Sequence, residues 1–256
     1  MTSQTAIYPS LDGRVVFITG GGTGIGASLT RAFSAQGAKV AFVDIAEDDS
    51  NRLVADIERE TGRRPLFIPC DIRDVPALQG AIAETRDALG DVGVLVNNAA
   101  NDDRHRLEEV TLEYWNDRIA INQRPMFFAA QAVVPQMRRL GGGSIINFGS
   151  VSWRMGTANV PVYASAKAAA HGLTRSLARD LGGDGIRANT VVPGWVMTDR
   201  QKRLWVTPEG EKVIDANQFL KGRVQPEHVA AMAVFLAADD SAMCNAQEFI
   251  VDGGWV

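Results

Sequence analysis

Short apolar runs alternate with longer amphipathic stretches along almost the whole of this 256-residue chain. Such an alternation is typical of βαβ units, which build a parallel sheet with helices on both faces. The sequence therefore predicts a single α/β domain over residues 1–256, with a doubly wound sheet. The predicted strands are Val15–Thr19, Val40–Asp44, Leu66–Cys70, Val94–Asn97, Ser144–Phe148, Arg187–Val192 and Glu248–Val251. The clearest predicted helices are Thr111–Arg139 and Tyr163–Leu181.

The charge pattern excludes several partners. The formal net charge is -4, and lysines and arginines are scattered, so no basic surface is expected to attract nucleic acid. Residues 1–10 lack a positive start followed by an apolar stretch, and no later segment is long enough to span a bilayer, so we expect a soluble cytoplasmic protein. Cys70 and Cys244 are expected to be free thiols, although pairing is possible in principle. The three histidines are too dispersed to suggest a metal site.

A glycine-rich run, Thr19 to Gly26, directly follows the first predicted strand and opens a helix. In this setting glycine permits a tight turn and lets backbone N–H groups approach a pyrophosphate at the helix N-terminus. The alternative is an ordinary flexible loop. The strand before it, the helix after it and a carboxylate at the right distance favour a dinucleotide site.

That carboxylate is Asp44, which ends the second predicted strand. There it can accept hydrogen bonds from the adenosine ribose hydroxyls, and it would repel the 2′-phosphate of NADP. No Arg or Lys follows at Ile45 or Ala46, so NAD is the predicted cofactor. Asp71, past the third strand, can meet the adenine edge. A helix cap or a solvated loop acid is the alternative for either aspartate.

Tyr163 and Lys167 lie four residues apart at the start of a predicted helix, so they share one helix face. A phenol has a pKa of about 10, and it acts as a base near neutrality only if nearby positive charge favours the phenolate. We expect Lys167 and an oxidised nicotinamide ring to supply that charge. A buried tyrosine beside a lysine is the alternative. Ser150, after the predicted strand Ser144–Phe148, can bond the reacting oxygen, and Ser152 competes for that role.

Asn122 lies inside the long predicted helix, where its side chain competes with backbone hydrogen bonding. Pro125 disturbs the same helix and frees carbonyls that a water held by Asn122 can join to Lys167. Residues 196–223 break the strand and helix alternation after the sixth predicted strand. Insertions at that position commonly form lids, and we expect a lid here that covers the substrate.

These residues, together with Asn97-Asn98-Ala99 and Pro193-Gly194, occur in the order found in the short-chain dehydrogenase/reductase superfamily. The resemblance covers essentially the whole chain. It implies a Rossmann-like sheet of about seven strands and a catalytic tetrad of Asn122, Ser150, Tyr163 and Lys167. It also implies a homo-oligomer, a tetramer or a dimer, built on the helices that carry Asn122 and Tyr163. The predicted cofactor-binding residues are Gly20, Thr23, Gly24, Ile25, Gly26, Asp44, Asp71, Ile72, Asn98, Tyr163, Lys167, Pro193, Val196 and Thr198.

The segments Asn101–His105, Asn147–Trp153 and Thr207–Glu211 resemble bacterial sugar 1-dehydrogenases, in particular those that oxidise the pentoses D-xylose and L-arabinose to lactones. A loop rich in hydrogen-bonding groups suits a polyhydroxyl substrate. The predicted substrate contacts are Asn101, Ser150, Ser152, Trp153, Tyr163 and Trp195; packing or a subunit interface is the alternative for the two tryptophans. His105 is either a supporting residue behind the site or part of a surface loop.

One residue departs from the family pattern: Ala100 stands where the family usually has glycine. A methyl group at this position touches cofactor space, and glycine often permits a close backbone approach or a positive φ, so alanine is expected to weaken NAD binding or to shift the following loop. The predicted reaction is hydride transfer from C1 of an aldose to NAD, which gives the aldonolactone. The alternatives are a reductase of 3-oxoacyl or other ketone substrates and a non-catalytic NAD-binding sensor.

Overall fold

The computed structural model describes residues 6–256, and a seven-stranded parallel sheet runs through the middle of the molecule in the order β3-β2-β1-β4-β5-β6-β7. The strands are β1 Val15–Thr19, β2 Lys39–Asp44, β3 Leu66–Pro69, β4 Val92–Asn97, β5 Gly143–Phe148, β6 Ile186–Pro193 and β7 Glu248–Val251. The predicted fold class and the predicted strands are confirmed, with small shifts at the ends. Strand β3 stops at Pro69 and leaves Cys70 outside.

Helices cover both faces of the sheet. They are α1 Gly24–Ala35, α2 Glu47–Thr61, α3 Val75–Leu89, α4 Leu112–Asn122, α5 Arg124–Arg139, α6 Ser152–Met155, α7 Pro161–Leu181, α8 Asp199–Leu204, α9 Pro208–Asn217 and α10 Pro226–Ala237. One buried apolar cluster joins the sheet to α1, α2 and α10, and another joins it to α3, α5 and α7. The central strands β1 and β4 are buried along their whole length, as expected for strands covered on both faces.

The long helix predicted over Thr111–Arg139 is two helices. Helix α4 ends at Asn122, and Gln123 leaves the helical region with φ -131° and ψ -56°. Pro125 lies in the first turn of α5, where backbone N–H groups have no partner within the helix, so the N–H that proline lacks is not needed there. Because proline lacks an N–H and its ring clashes with the carbonyl four residues earlier, α4 cannot continue through Pro125, and the chain restarts the helix here. The break fixes the position of Asn122 at a helix end.

Two further sequence features have definite places. Cys70 is buried, Cys244 is partly exposed, and both carry free thiols, as predicted. Residues 196–223 contain α8 and α9 and lie between β6 and α10. Within residues 6–256, no helix combines the length and the apolar character needed to cross a membrane.

Candidate active site

The candidate site is a cleft at the carboxyl ends of the central strands, where the strand order reverses between β1 and β4. Ligands of open α/β sheets bind at such a point. The cleft has a volume of about 1480 Å³. Pockets for single small molecules rarely exceed about 1,000 Å³, so this cleft has room for a dinucleotide and a second ligand.

The glycine turn after β1 is folded tightly against the start of α1. Gly20 has a φ of 66°, and its N–H donates to the Val43 carbonyl at 2.7 Å. A Cβ on Gly26 would lie 1.7 Å from the Gly20 carbonyl oxygen, so only glycine fits there. Thr23 precedes the helix, and no side chain caps this helix end within residues 6–256. The first N–H groups of α1 are thus available to a pyrophosphate, which this turn fits.

Asp44 lies beside the same turn, at the end of β2. Its Oδ2 accepts the Gly22 N–H at 2.8 Å, and its Oδ1 accepts the Ala46 N–H at 3.0 Å. A Cβ on Gly22 would lie 2.1 Å from the hydroxyl oxygen of Ser50, so the backbone approaches this carboxylate with no space for a side chain. Each carboxylate oxygen can accept a further hydrogen bond, as a ribose diol requires.

Most other predicted cofactor-binding residues also line the cleft: Thr23, Gly24, Ile25, Ile72, Pro193, Val196 and Thr198. Asn98 joins β4 to β1, because its amide donates to the carbonyls of Thr19 at 3.1 Å and Gly20 at 2.8 Å. A Cβ on Gly24 would lie 3.3 Å from Cγ2 of Thr198, so the segment after β6 reaches the glycine turn. Asp71 lines the cleft too, but Arg73 already binds both of its carboxylate oxygens.

Tyr163 and Lys167 project from the first two turns of α7 into the cleft. The Lys167 side chain is buried, and its Nζ lies 5.8 Å from the Tyr163 ring centroid and donates to the Phe148 carbonyl at 2.8 Å. Ser150 follows β5, and its Oγ accepts the Ser152 N–H at 3.1 Å. The structure therefore brings together the phenol, the amine and the hydroxyl that the sequence singled out.

The electrostatics of this group are set mainly by burial. Burial raises the pKa of Tyr163 above its ordinary value, and the negative charge of Asp102 raises it further. Burial also lowers the pKa of Lys167 to about 8. In the protein alone, loss of hydration outweighs the favourable effects of Ser150 and Arg200, and the lowered tyrosine pKa expected from Lys167 together with an oxidised nicotinamide stays a prediction. Positive charge from a bound cofactor has to overcome that effect.

Asn122 occupies the end of α4 and is fully buried. Its Oδ1 accepts the Asn101 N–H at 2.8 Å, and its Nδ2 donates to the Asn101 carbonyl at 3.0 Å. The sequence predicted a water-holding side chain directed towards Lys167. In the structure the amide clamps the loop that follows β4, and the water-holding role stays a prediction.

The same loop is held at His105, which is buried. The ring Nε2 accepts the Val162 N–H at 3.3 Å, and Nδ1 lies 2.9 Å from the Tyr114 hydroxyl. This position favours the first of the two alternatives for His105, a supporting residue behind the site. Because Val162 directly precedes Tyr163, this contact ties the loop to the base of the candidate catalytic tyrosine.

The predicted substrate contacts divide into two groups. Asn101, Ser152 and Trp195 line the cleft with Ser150 and Tyr163. Trp153 lies outside the lining of the cleft, which corrects its prediction as a substrate contact. Its ring packs edge-on against His171 with centroids 5.2 Å apart, and its Nε1 donates to His171 Nε2 at 3.1 Å. The short helix α6 turns this indole towards α7, where its N–H finds a partner.

Four side chains form a hydrogen-bonded group in the cleft, and sequence reasoning named only Trp195 among them as a site residue. Arg200 binds Oδ1 of Asp102, and Gln201 Nε2 donates to Asp102 Oδ2 at 2.6 Å. Trp195 Nε1 donates to Gln201 Oε1 at 3.1 Å. We call Asp102, Trp195, Arg200 and Gln201 the Asp102 network. The polar loop that contains Asp102 indicated a hydrogen-bonding site. The partners of Asp102 lie 98 and 99 positions away along the chain, and no rule of sequence spacing predicts such a contact.

Ala100 is accommodated without strain. It is exposed and lines the cleft, and it is not among the described residues with positive φ. The expected conformational penalty of replacing glycine at this position is therefore absent.

Comparison with known proteins identifies the family of this chain. The family described as "Enoyl-(Acyl carrier protein) reductase" matches residues 20–256. "D-xylose 1-dehydrogenase" of Caulobacter vibrioides is 52% identical over 252 residues, which is 98% of this chain and 99% of that protein. "Probable galactose dehydrogenase GalD" of Rhizobium meliloti is 47% identical over 254 residues, 99% of each chain.

Among solved structures, a 7α-hydroxysteroid dehydrogenase in complex with NADH and 7-oxo glycochenodeoxycholic acid superposes with a TM-score of 0.92. It is 32% identical, and the match covers 97% of this chain and 96% of that one. This chain thus combines the sheet, the glycine turn and the tyrosine–lysine pair described above with similarity to dehydrogenases along nearly its whole length. The chain belongs to the short-chain dehydrogenase/reductase family.

Proposed function

We propose that the protein is an NAD-dependent aldose 1-dehydrogenase, which oxidises C1 of a sugar to the aldonolactone. The substrate is a pentose such as D-xylose or L-arabinose, or a related hexose such as D-galactose. The observation that carries the substrate class is the 52% identity, along nearly the whole chain, to the D-xylose 1-dehydrogenase of Caulobacter vibrioides. The charged and hydroxylated lining supports it, because a buried polar group needs a polar partner on the substrate.

In this proposal Tyr163 takes the proton of the anomeric hydroxyl while C1 loses hydride. Ser150 lies in the same cleft and steadies the reacting oxygen by a hydrogen bond. Lys167, whose Nζ lies 5.8 Å from the phenol ring centroid, favours the phenolate. When bound, NAD supplies the hydride acceptor and a positive charge. The proton leaves to solvent, and Asn122 keeps the neighbouring loop in place.

The preference for NAD over NADP rests on Asp44. Its carboxylate lies against Gly22 with both oxygens already oriented by backbone N–H groups, and it lines the cleft. A ribose diol can donate to these oxygens, whereas a 2′-phosphate would meet a like charge. The residues that would hold the rest of the cofactor are the glycine turn, Ile72, Asn98, Lys167, Val196 and Thr198, all in the cleft lining or bonded to it.

We also propose that residues 196–223 act as a lid. Residues of helix α8 line the cleft, and Arg200 in that helix binds both Asp102 and Asp103. The Arg104 guanidinium lies 4.2 Å from the centroid of the Trp205 ring, which adds a second contact between the lid and the loop. Opening of these contacts lets ligands enter, and closure keeps water from the reacting carbon.

The proposal includes a homo-oligomer and a cytoplasmic location. Large apolar side chains are exposed on α4 and α5 at Leu112, Trp115 and Phe127, which favours contact between copies through these helices. Light scattering after gel filtration tests for a dimer or tetramer. A dissociable dinucleotide is an intracellular reagent, which supports the location.

The decisive experiment is NAD reduction measured across aldopentoses and aldohexoses, with NADP in parallel. We expect turnover with NAD and at least one aldose. Ketone reduction with NADPH, and no aldose turnover, would establish the reductase alternative. Tight NAD binding without turnover of any alcohol, aldose or ketone would establish the sensor.

A further inference from the structure

Asp102 is the acidic side chain that the loop after β4 directs into the cleft beside Tyr163. It lines the cleft together with Tyr163, Lys167 and Trp195, and its side chain keeps 28% of its surface exposed. Its negative charge acts on both candidate catalytic residues. It adds to the burial that raises the pKa of Tyr163, and it partly offsets the burial that lowers the pKa of Lys167. A carboxylate therefore lies in the same cleft as the candidate catalytic tyrosine and lysine.

The partners of Asp102 orient its carboxylate and leave part of its capacity unused. Oδ1 accepts from Arg200, and Oδ2 accepts from Gln201 at 2.6 Å. Gln201 is held in turn by Trp195, whose Nε1 donates to Gln201 Oε1 at 3.1 Å. An ionised carboxylate has about four acceptor sites on two oxygens, so one site remains on each oxygen.

We propose that Asp102 selects the substrate by accepting hydrogen bonds from two neighbouring hydroxyls of the sugar, those on C2 and C3. This inference rests on the proposed aldose 1-dehydrogenase function and names the group that recognises the sugar. Two adjacent hydroxyls present two donors to two adjacent oxygens, which a single alcohol or an acyl chain does not. A substrate without these donors leaves a desolvated carboxylate poorly satisfied. Arg200 and Gln201 are positioning residues.

The neighbouring Asp103 provides a matched control. Its Oδ1 accepts from the same Arg200 at 2.5 Å, and its Oδ2 accepts from Arg118 at 3.2 Å. It does not belong to the described lining of the cleft. Replacing Asp103 therefore removes a lid contact of the same kind without touching the proposed position of the sugar hydroxyls.

The test compares wild type, Asp102→Asn and Asp103→Asn on an aldose that the wild type oxidises and on the 2-deoxy and 3-deoxy forms of that sugar. We expect the wild type to prefer the full aldose by at least about ten-fold in kcat/KM, the effect of one hydrogen bond to a charged group. Asp102→Asn should lose most of that preference, mainly through KM, and Asp103→Asn should keep it. NAD affinity, measured by titration, should be retained in both variants and shows that they are folded.

Three outcomes would overturn the inference. If the wild type has the same kcat/KM for the deoxy sugars and for the full aldose, the two hydroxyls are not recognised. This outcome can be read from the wild type without any variant. If Asp102→Asn keeps the preference, or Asp103→Asn loses as much of it, Asp102 serves only to hold the lid. Absence of aldose turnover in the wild type would instead overturn the proposed function, and this inference with it.

Discussion

The amide of Asn122 holds the backbone of Asn101 with two hydrogen bonds, one to its N–H at 2.8 Å and one to its carbonyl at 3.0 Å. Since Asn122 is fully buried at the end of α4, the loop that carries Asp102 is fixed to a helix end. Asn122 therefore holds the loop that carries Asp102 in place beside the cleft.

We expect Asn122→Ala to raise the KM for the sugar about ten-fold, because two buried backbone groups lose their partners and the loop shifts. The KM for NAD should change much less. Asn116→Ala is the control, since it removes an exposed asparagine of the same helix that lies outside the described lining of the cleft, and it should leave the sugar KM unchanged. Steady-state kinetics with each substrate varied separately measures both values. A loss in kcat alone, at unchanged sugar KM, would instead favour the predicted water relay to Lys167.

The fold was predictable because its signals are local. The strands β1 and β4 are apolar up to their last residues, Thr19 and Asn97, and the glycine turn lies between a strand and a helix in sequence as in space. The same holds for Tyr163 and Lys167, which share a helix face by their spacing alone. Both side chains line the cleft, as expected. The helix end at Asn122 was missed, although its signal, Pro125, is also local.

The errors concern long-range contacts and side-chain direction. Trp153 was predicted in the cleft, yet its indole bonds His171, which is 18 positions away. The partners of Asp102 lie 98 and 99 positions away along the chain. The pKa of Tyr163 depends on burial, which no spacing rule measures. Each of these requires the tertiary structure.

Tyr163→Phe tests the base. We expect turnover to fall at least about 100-fold, the lower range of general acid–base catalysis, because the ring remains but the proton acceptor is lost. NAD affinity should stay near that of the wild type. Tyr114→Phe removes a hydroxyl that contacts His105 and lies outside the cleft lining, so it should retain most activity. Near-normal turnover by Tyr163→Phe would remove Tyr163 from this role.

Lys167 gives a pH dependence of stability with a defined sign. Burial lowers its pKa to about 8 from the ordinary value of 10.5. Between these values the unfolded chain holds a proton that the folded protein has released, so the free energy of unfolding rises with pH. Below pH 8 both states are protonated and this contribution is constant.

Lys167→Met lacks this contribution. The free energy of unfolding of Lys167→Met relative to wild type should therefore fall by about 2 kcal/mol between pH 7 and pH 9.5. Urea unfolding of the cofactor-free proteins at the two pH values measures it. Lys39→Met, at an exposed lysine, is the control. A difference between Lys167→Met and wild type that is independent of pH would show that the folded protein does not lower the pKa of Lys167.

Asp44→Asn tests the choice of cofactor. The amide keeps the shape of the side chain but removes the charge that faces a 2′-phosphate, so the NAD to NADP ratio of kcat/KM should fall about ten-fold or more. Asp48→Asn changes an exposed carboxylate of α2 that lies outside the cleft lining and should leave the ratio unchanged. An unchanged ratio in Asp44→Asn would mean that another group excludes NADP.

The last test uses Trp153 and Trp195, which were both predicted from the sequence to contact the substrate but have different surroundings in the structure. Trp195 lines the cleft and donates to Gln201 at 3.1 Å, whereas Trp153 donates to His171 outside the lining. Trp195→Phe keeps an aromatic ring but frees Gln201, so the carboxylate of Asp102 is less firmly oriented. We expect a several-fold rise in the sugar KM for Trp195→Phe and an unchanged sugar KM for Trp153→Phe. Thermal unfolding should show the opposite order, since Trp153→Phe leaves buried His171 without its donor. A rise in sugar KM for Trp153→Phe alone would return Trp153 to the substrate site and reject the packing role assigned to it here.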